Sequence, residues 1–150
     1  MLELASLKEF LAEPKQIVIT THPKPDGDAM GSSLGLYNYL ILNGHQVNVI
    51  TPTDYPTFLQ WLPSNSDVII YTEKPEQSQQ LLASADLIFC LDFNSLVRIN
   101  EMGHYVRNSK AKKVLIDHHL EPEGFEDYRL WTTSACATAQ LVYEFIVNVM

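Results

Sequence analysis

The chain has 150 residues, a length that supports one globular core and is short for two. Apolar residues make up 46% and charged residues 19%, and a net charge of −8 with 10 basic residues argues against a broad basic surface for long duplex nucleic acid. No apolar run reaches the roughly 18 residues of a membrane span, and the acidic start MLELASLKEFLAEPK lacks the basic segment and cleavage site of an export signal, so a cytoplasmic chain with no membrane partner is expected.

Residues 2–12 predict a helix, with Leu2, Leu4, Leu7, Phe10 and Leu11 near helical spacing and Pro14 ending it. QIVITT (16–21) is a β-branched run expected as a strand buried on both faces. A helix follows from about Ala29 to Asn43, with Asp28 as a candidate cap and Gly44 as its stop. QVNVIT (46–51) is a second strand, and 52–66, with three prolines, reads as loop with at most a helical turn. DVIIY (67–71) is a third strand, and PEQSQQLLASA (75–85) fits a helix with Pro75 in its first turn. DLIFCLD (86–92) and AKKVLID (111–117) are a fourth and fifth strand, with one or two short helices between them. YRLWT (128–132) is a candidate edge strand, and 134–149 predicts a helix with Ser134 as N-cap. Strands alternating with helices define an α/β fold, a mostly parallel sheet of about five strands flanked by helices on both faces. Cys90 and Cys136 have neither metal nor redox spacing, and both read as reduced core residues.

Three of these strands end in residues suited to cations, and in an open parallel sheet ligands bind beyond the carboxyl ends of the strands. The first runs into His22, Asp26 and Asp28, the fourth ends at Asp92, and the fifth ends at Asp117-His118-His119. The second and third end in Thr51-Pro52 and Tyr71-Thr72, which carry no such load. Each piece alone has a plain structural reading: Asp28 as a helix cap, Asp26-Gly27 as a turn, Asp92 as a loop start, His22 as an isolated imidazole. Asp117-His118-His119 is unusual by itself, because a buried acid and two imidazoles need partners. Together the carboxylates repel and raise one another's pKa, and two divalent metal ions reverse that balance. Carboxylates with imidazoles and no Cys suit Mn²⁺ first, with Mg²⁺, Co²⁺, Fe²⁺ and Zn²⁺ as alternatives. Gly27 is expected to permit the turn between the two Asp, and Gly31 and Gly35 to let their helix approach a neighbour closely; Ser32 and Ser33 either line the site or pack.

At these residues the sequence resembles the DHH phosphoesterase family. HPKPDGDAMGSS looks like its first motif, LDFN its second and IDHH its signature, in matching order over residues 16–119. TTSACATAQLVYEF further resembles the Ser/Thr/Ala-rich helix start of the NrnA-type oligoribonuclease branch. The resemblance implies a Rossmann-like three-layer domain in which His22 and Asp26 hold one metal ion, Asp28 and His118 hold the other, and Asp92 bridges them. It implies that His119 faces the substrate as acid or electrophile, and that Asp117 orients the imidazoles from behind. Arg98, six residues after Asp92, would bind substrate at a phosphate or else is a plain surface Arg. The family also carries one more Asp ligand, in a Thr-Asp-Thr-Gly-like motif after the last helix seen here, and a smaller second domain that grips the substrate; its members often form homodimers. The expected organisation is therefore residues 1–150 as the first, DHH domain of a longer protein.

The implied activity is hydrolysis of short RNA or of a small phosphorylated nucleotide, 3′-phosphoadenosine 5′-phosphate, by metal-activated water. Alternatives within the family are a cyclic dinucleotide phosphodiesterase, an exopolyphosphatase, a pyrophosphatase and a RecJ-type exonuclease; outside catalysis the alternative is a metal- and nucleotide-binding module. An ordinary nucleotide-binding domain is disfavoured, because THPKPDGDAMG contains neither G-x-G-x-x-G nor G-x-x-x-x-G-K-[ST].

Overall fold

The computed structural model describes residues 2–150. Among them six strands form one sheet: β1 (Gln16–Thr20), β2 (Gln46–Thr51), β3 (Ile69–Ile70), β4 (Leu87–Leu91), β5 (Lys112–Asp117) and β6 (Tyr128–Trp131). Their order is β3-β2-β1-β4-β5-β6, and every neighbouring pair is parallel. Helices α1 (Leu2–Phe10), α2 (Gly27–Leu42), α3 (Pro75–Ser84), α4 (Met102–Asn108) and α5 (Thr138–Glu144) complete a three-layer α/β domain, and β6 is the expected edge strand. Leu2, expected on the apolar face of α1, lies outside the residues whose side chains are described. Among the described residues no helix is long and apolar enough to cross a membrane.

The period-2 alternation of the strands splits the core in two. Ile17 and Ile19 of β1, Phe89 of β4 and Ile116 of β5 join Leu7 of α1, Met30 and Leu34 of α2 and Leu141 of α5. Val18, Ile88, Cys90 and Leu115 join Leu82 of α3 and Met102 and Val106 of α4. Central strands covered on both faces need apolar residues at successive positions, which is why Ile17–Ile19 and LIFCL read as unbroken apolar runs. Phe89 meets Phe145, just past α5, edge to face at a centroid distance of 5.8 Å.

Several boundaries differ from expectation for local reasons. Asp26, not Asp28, caps α2: its backbone is extended and its carboxylate accepts the Ala29 N–H at 3.0 Å. Asp28 sits instead in the first turn. Gly44 (φ +88°) stops α2 in the left-handed conformation as expected. A Cβ on Gly27, Gly31 or Gly35 would meet nothing within 4 Å, so none of the three is required by a turn or a close approach. β3 is reduced to two residues, because a 3₁₀ turn at Asn65–Asp67 takes the start of the expected strand and only Ile69 and Ile70 pair with β2; a second 3₁₀ turn, Thr57–Leu59, lies earlier in the same connection. The last helix starts at Thr138 rather than after Ser134. There the Thr132 hydroxyl accepts the Ser134 N–H at 3.2 Å, a local turn that competes with helix. The helix then ends in a π-helical turn, Phe145–Val149. Cys90 is buried as expected, but Cys136 is exposed on that preceding segment, its thiol against Gln140.

Gly103 has no room for a side chain. A Cβ on Gly103, in α4, would lie 2.2 Å from the Leu96 carbonyl oxygen. Leu96 opens the 3₁₀ turn Leu96–Ile99 that carries Arg98. Gly103→Ala is expected to destabilise the domain by about 1–3 kcal/mol through overpacking, read as a lower urea midpoint; Gly31→Ala, in open space, leaves the midpoint unchanged or raises it.

Candidate metal centre

Strands β1, β4 and β5 lie side by side, so the loops leaving their carboxyl ends share one rim. Asp92 is the first residue after β4. Its φ of +66° turns the chain abruptly, a conformation that Asp tolerates better than most residues. Asp92 is only 4% exposed. His22 Nε2 lies 3.3 Å from its Oδ2, and His118 Nε2 lies 3.4 Å from its Oδ1. His119 Nδ1 is 4.0 Å from Oδ1. Asp26 Oδ1 stands 3.9 Å from His22 Nε2, and Asp28 Oδ2 stands 4.0 Å from His118 Nε2. Two donor triplets result, His22-Asp26-Asp92 and Asp92-His118-His119, each with ligand atoms within 4.8 Å of one another. Asp92 belongs to both.

Hydrogen bonds fix which ring nitrogens are free. His22 Nδ1 donates to the Pro23 carbonyl at 2.7 Å, which leaves Nε2 to face Asp92. His119 Nδ1 donates to Asp117 Oδ1 at 2.6 Å, so the fully buried Asp117 holds that ring from behind. The second oxygen of Asp117 is buried without a partner. The hydrogen bond with Asp92 is the main force raising His22 above its ordinary pKa, against the opposing effect of burial. Burial pushes the Asp92 carboxyl up, but hydrogen bonds from His22 and Thr138, with the nearby imidazoles, hold it below the usual carboxylate value. A carboxylate kept ionised and imidazoles with free Nε2 atoms are the donors a divalent cation takes.

The remaining candidates join the same rim. Both Asp28 oxygens accept backbone N–H groups of α5, from Thr138 at 3.1 Å and Ala139 at 2.9 Å. Asp28 therefore caps a helix, but one that begins 110 residues further on. Ser32 packs beneath it, its hydroxyl 3.5 Å from Asp28 Oδ1, while the Ser33 hydroxyl bonds back to the Ala29 carbonyl. Arg98 lines an open cavity of about 310 Å³ with His22, Asp92, Phe93, Asn94 and His119. Sequence reasoning missed Thr138, whose hydroxyl donates to Asp92 Oδ1 at 2.9 Å; a lone Thr in a small-residue helix start carried no signal for that. It also missed Glu123. That carboxylate accepts from the Ser95 hydroxyl, the Leu96 N–H and Arg107 Nη2, latching the loop after β5 to the loop after β4.

Fold and rim together define a doubly wound α/β domain with an acid- and imidazole-lined candidate cation site at the carboxyl edge of its sheet. The chain belongs to the DHH family, whose N-terminal domain matches residues 16–150. It is 32% identical over 130 residues to the bifunctional oligoribonuclease and PAP phosphatase NrnA of Thermus thermophilus, covering 87% of this chain and 36% of that one. It is 28% identical over 149 residues to a probable bifunctional oligoribonuclease and PAP phosphatase NrnA of Streptococcus mutans, covering 97% of this chain and 44% of that one. The crystal structure of an exopolyphosphatase-related protein from Bacteroides fragilis superposes with a TM-score of 0.96 at 40% identity, covering 99% of this chain and 44% of the other. The chain thus spans less than half the length of these relatives.

The latch has a pH signature. Burial pushes Glu123 up, but Arg107, the Leu96 N–H and the Ser95 hydroxyl outweigh it and hold the carboxyl below its ordinary value of 4.5. An acid depressed by folding contributes stability above its unfolded pKa and loses it as pH falls through the folded one. Glu123→Gln is therefore expected to lower the urea midpoint at pH 7, with the gap to the unmodified chain closing below pH 4.5.

Proposed function

We propose that this chain is the first, catalytic domain of a longer phosphoesterase that hydrolyses short oligoribonucleotides or 3′-phosphoadenosine 5′-phosphate with two divalent metal ions. The observation that carries the reading is the place of Asp92 between two imidazoles, its Oδ2 3.3 Å from His22 Nε2 and its Oδ1 3.4 Å from His118 Nε2. In this reading His22 and Asp26 hold one ion, Asp28 and His118 hold the other, and Asp92 lies between them. The mix of carboxylate oxygen and imidazole nitrogen favours Mn²⁺. When bound, such ions supply positive charge for phosphoryl oxygens and acidify water enough to make it a nucleophile near neutral pH.

The chain's own residues do the rest. Pro23 fixes the His22 ring through its Nδ1–H, and Asp117 fixes the His119 ring in the same way. His119, half exposed and on the cavity wall, serves as donor to a phosphoryl or leaving oxygen. Arg98 offers a planar fork of donors to a phosphate across the same cavity. A cavity of about 310 Å³ suits a nucleotide-sized ligand, and a chain of net charge −8 suits small substrates better than duplexes. The two NrnA relatives support the choice of short RNA and 3′-phosphoadenosine 5′-phosphate.

The test combines metal counting with substrate panels. The purified chain, exposed to Mn²⁺ and desalted, is expected to retain two ions by elemental analysis, and Asp92→Asn is expected to retain one at most. With Mn²⁺, turnover of a two-nucleotide RNA or of 3′-phosphoadenosine 5′-phosphate should exceed that of polyphosphate, pyrophosphate and cyclic di-AMP. Asp92→Asn should reduce it by about 100-fold or more. Absence of retained metal in the unmodified chain, or full metal content in Asp92→Asn, overturns the metal assignment. A preference for polyphosphate overturns the nucleotide assignment and leaves the phosphoesterase reading standing.

A further inference from the structure

We infer that Thr138 is a positioning residue of the metal centre: its hydroxyl sets the orientation of the Asp92 carboxylate, while the backbone amide beside it holds Asp28. The inference rests on the metal reading above. Thr138 is 0% exposed, and its Oγ1 donates to Asp92 Oδ1 at 2.9 Å. A carboxylate turns freely about its terminal torsion, because that torsion has broad wells. Two oxygens that must serve two different cations cannot be left to turn. The Thr138 hydroxyl occupies one lone pair of Oδ1 and leaves the other lone pair on the His118 side, while Oδ2 stays on the His22 side. The same residue's N–H, with that of Ala139, takes both Asp28 oxygens. One turn of α5 thereby meets the two carboxylates proposed to lie at the second cation.

Thr was the side chain to choose here. Val has the same shape but no donor, and would leave Asp92 Oδ1 buried beside an apolar methyl. Ser keeps the donor and loses only the methyl. Neither change touches the backbone N–H that caps onto Asp28, so the two variants separate the hydroxyl from the cap.

Calorimetric titration of the whole chain with Mn²⁺, alongside circular dichroism and thermal melts, tests the inference. Thr138→Val is expected to weaken Mn²⁺ binding by about 10–100-fold, the usual effect of removing a group that orients a metal ligand. Its dichroism should stay unchanged, and Thr138→Ser should restore affinity to near that of the unmodified chain. Should Val fail to fold, Thr138→Ala against Thr138→Ser gives the same contrast, since both lack the methyl and only Ser has the hydroxyl. Equal affinity in folded variants with and without the hydroxyl overturns the inference and spares the metal reading. An unmodified chain that binds no Mn²⁺ overturns both.

Discussion

Asp92 is an ionised carboxylate almost out of reach of water, and the rest of the domain is arranged around that fact. A charge buried there is costly unless donors or opposite charges surround it. Here the neighbours come from separate places: the His22 imidazole from the loop after β1, the His118 imidazole from the loop after β5, and the Thr138 hydroxyl, which donates to Oδ1, from α5. The strand order places β4 between β1 and β5, so the residue after β4 is the one that both neighbouring loops reach. A different order would leave Asp92 without these partners. Topology and electrostatics therefore solve one problem together, and the left-handed backbone at Asp92 lets the chain leave the strand at once.

Helix α5 shows how the rim and the core depend on each other. Its seven residues are too few to be helical alone. One side is held by the core, through Leu141, Val142 and Phe145 just beyond it. Its first turn is held by the Asp28 carboxylate, which satisfies N–H groups that no local side chain satisfies. Asp28 itself lies in the first turn of α2, where free N–H groups favour negative charge. One carboxylate thus stands between two helix N-termini, so a neutral residue there disturbs both the core helix and the rim.

The strands and the loaded strand ends were legible because both are local. QIVIT, LIFCL and VLID announce doubly covered strands by composition, and His22, Asp26, Asp28, Asp92, Asp117, His118 and His119 stand at or beside their ends in the sequence. What stayed illegible is long-range. Asp28 looked like the cap of its own helix, because nothing local tells that Asp26 takes that place and that Asp28 serves α5. Ser134 looked like a helix cap, because a hydroxyl before an apolar run has the same sequence signature whether it caps a helix or closes a turn with Thr132. Gly31 and Gly35 suggested a tight helix approach, yet their Cβ positions face open space, and the glycine whose Cβ position is blocked by a neighbouring backbone, Gly103, had no distinguishing pattern.

The rim is built in two parts, each tied by hydrogen bonds between loops. On one side, Lys24, itself at φ +51°, ties the His22–Asp26 loop to the loop after β2, through its N–H to the Thr53 hydroxyl at 2.6 Å and its ammonium to Asp54 at 3.1 Å. On the other, Asn94 Nδ2 donates to the Leu120 carbonyl at 2.7 Å and the Glu123 N–H donates back to the Asn94 carbonyl at 2.8 Å, so the loop bearing Asp92 and the loop bearing His118 and His119 form one unit. Arg98 stands on that second unit, one short turn past the latch. The parts meet at Asp92 and His22, where His22 Nε2 lies 3.3 Å from Asp92 Oδ2, a polar contact and not a packed apolar surface. Flanks joined by their own hydrogen bonds keep the carboxylates and imidazoles of the rim near one another before anything binds between them, which is the pre-organisation that the proposed cation site requires.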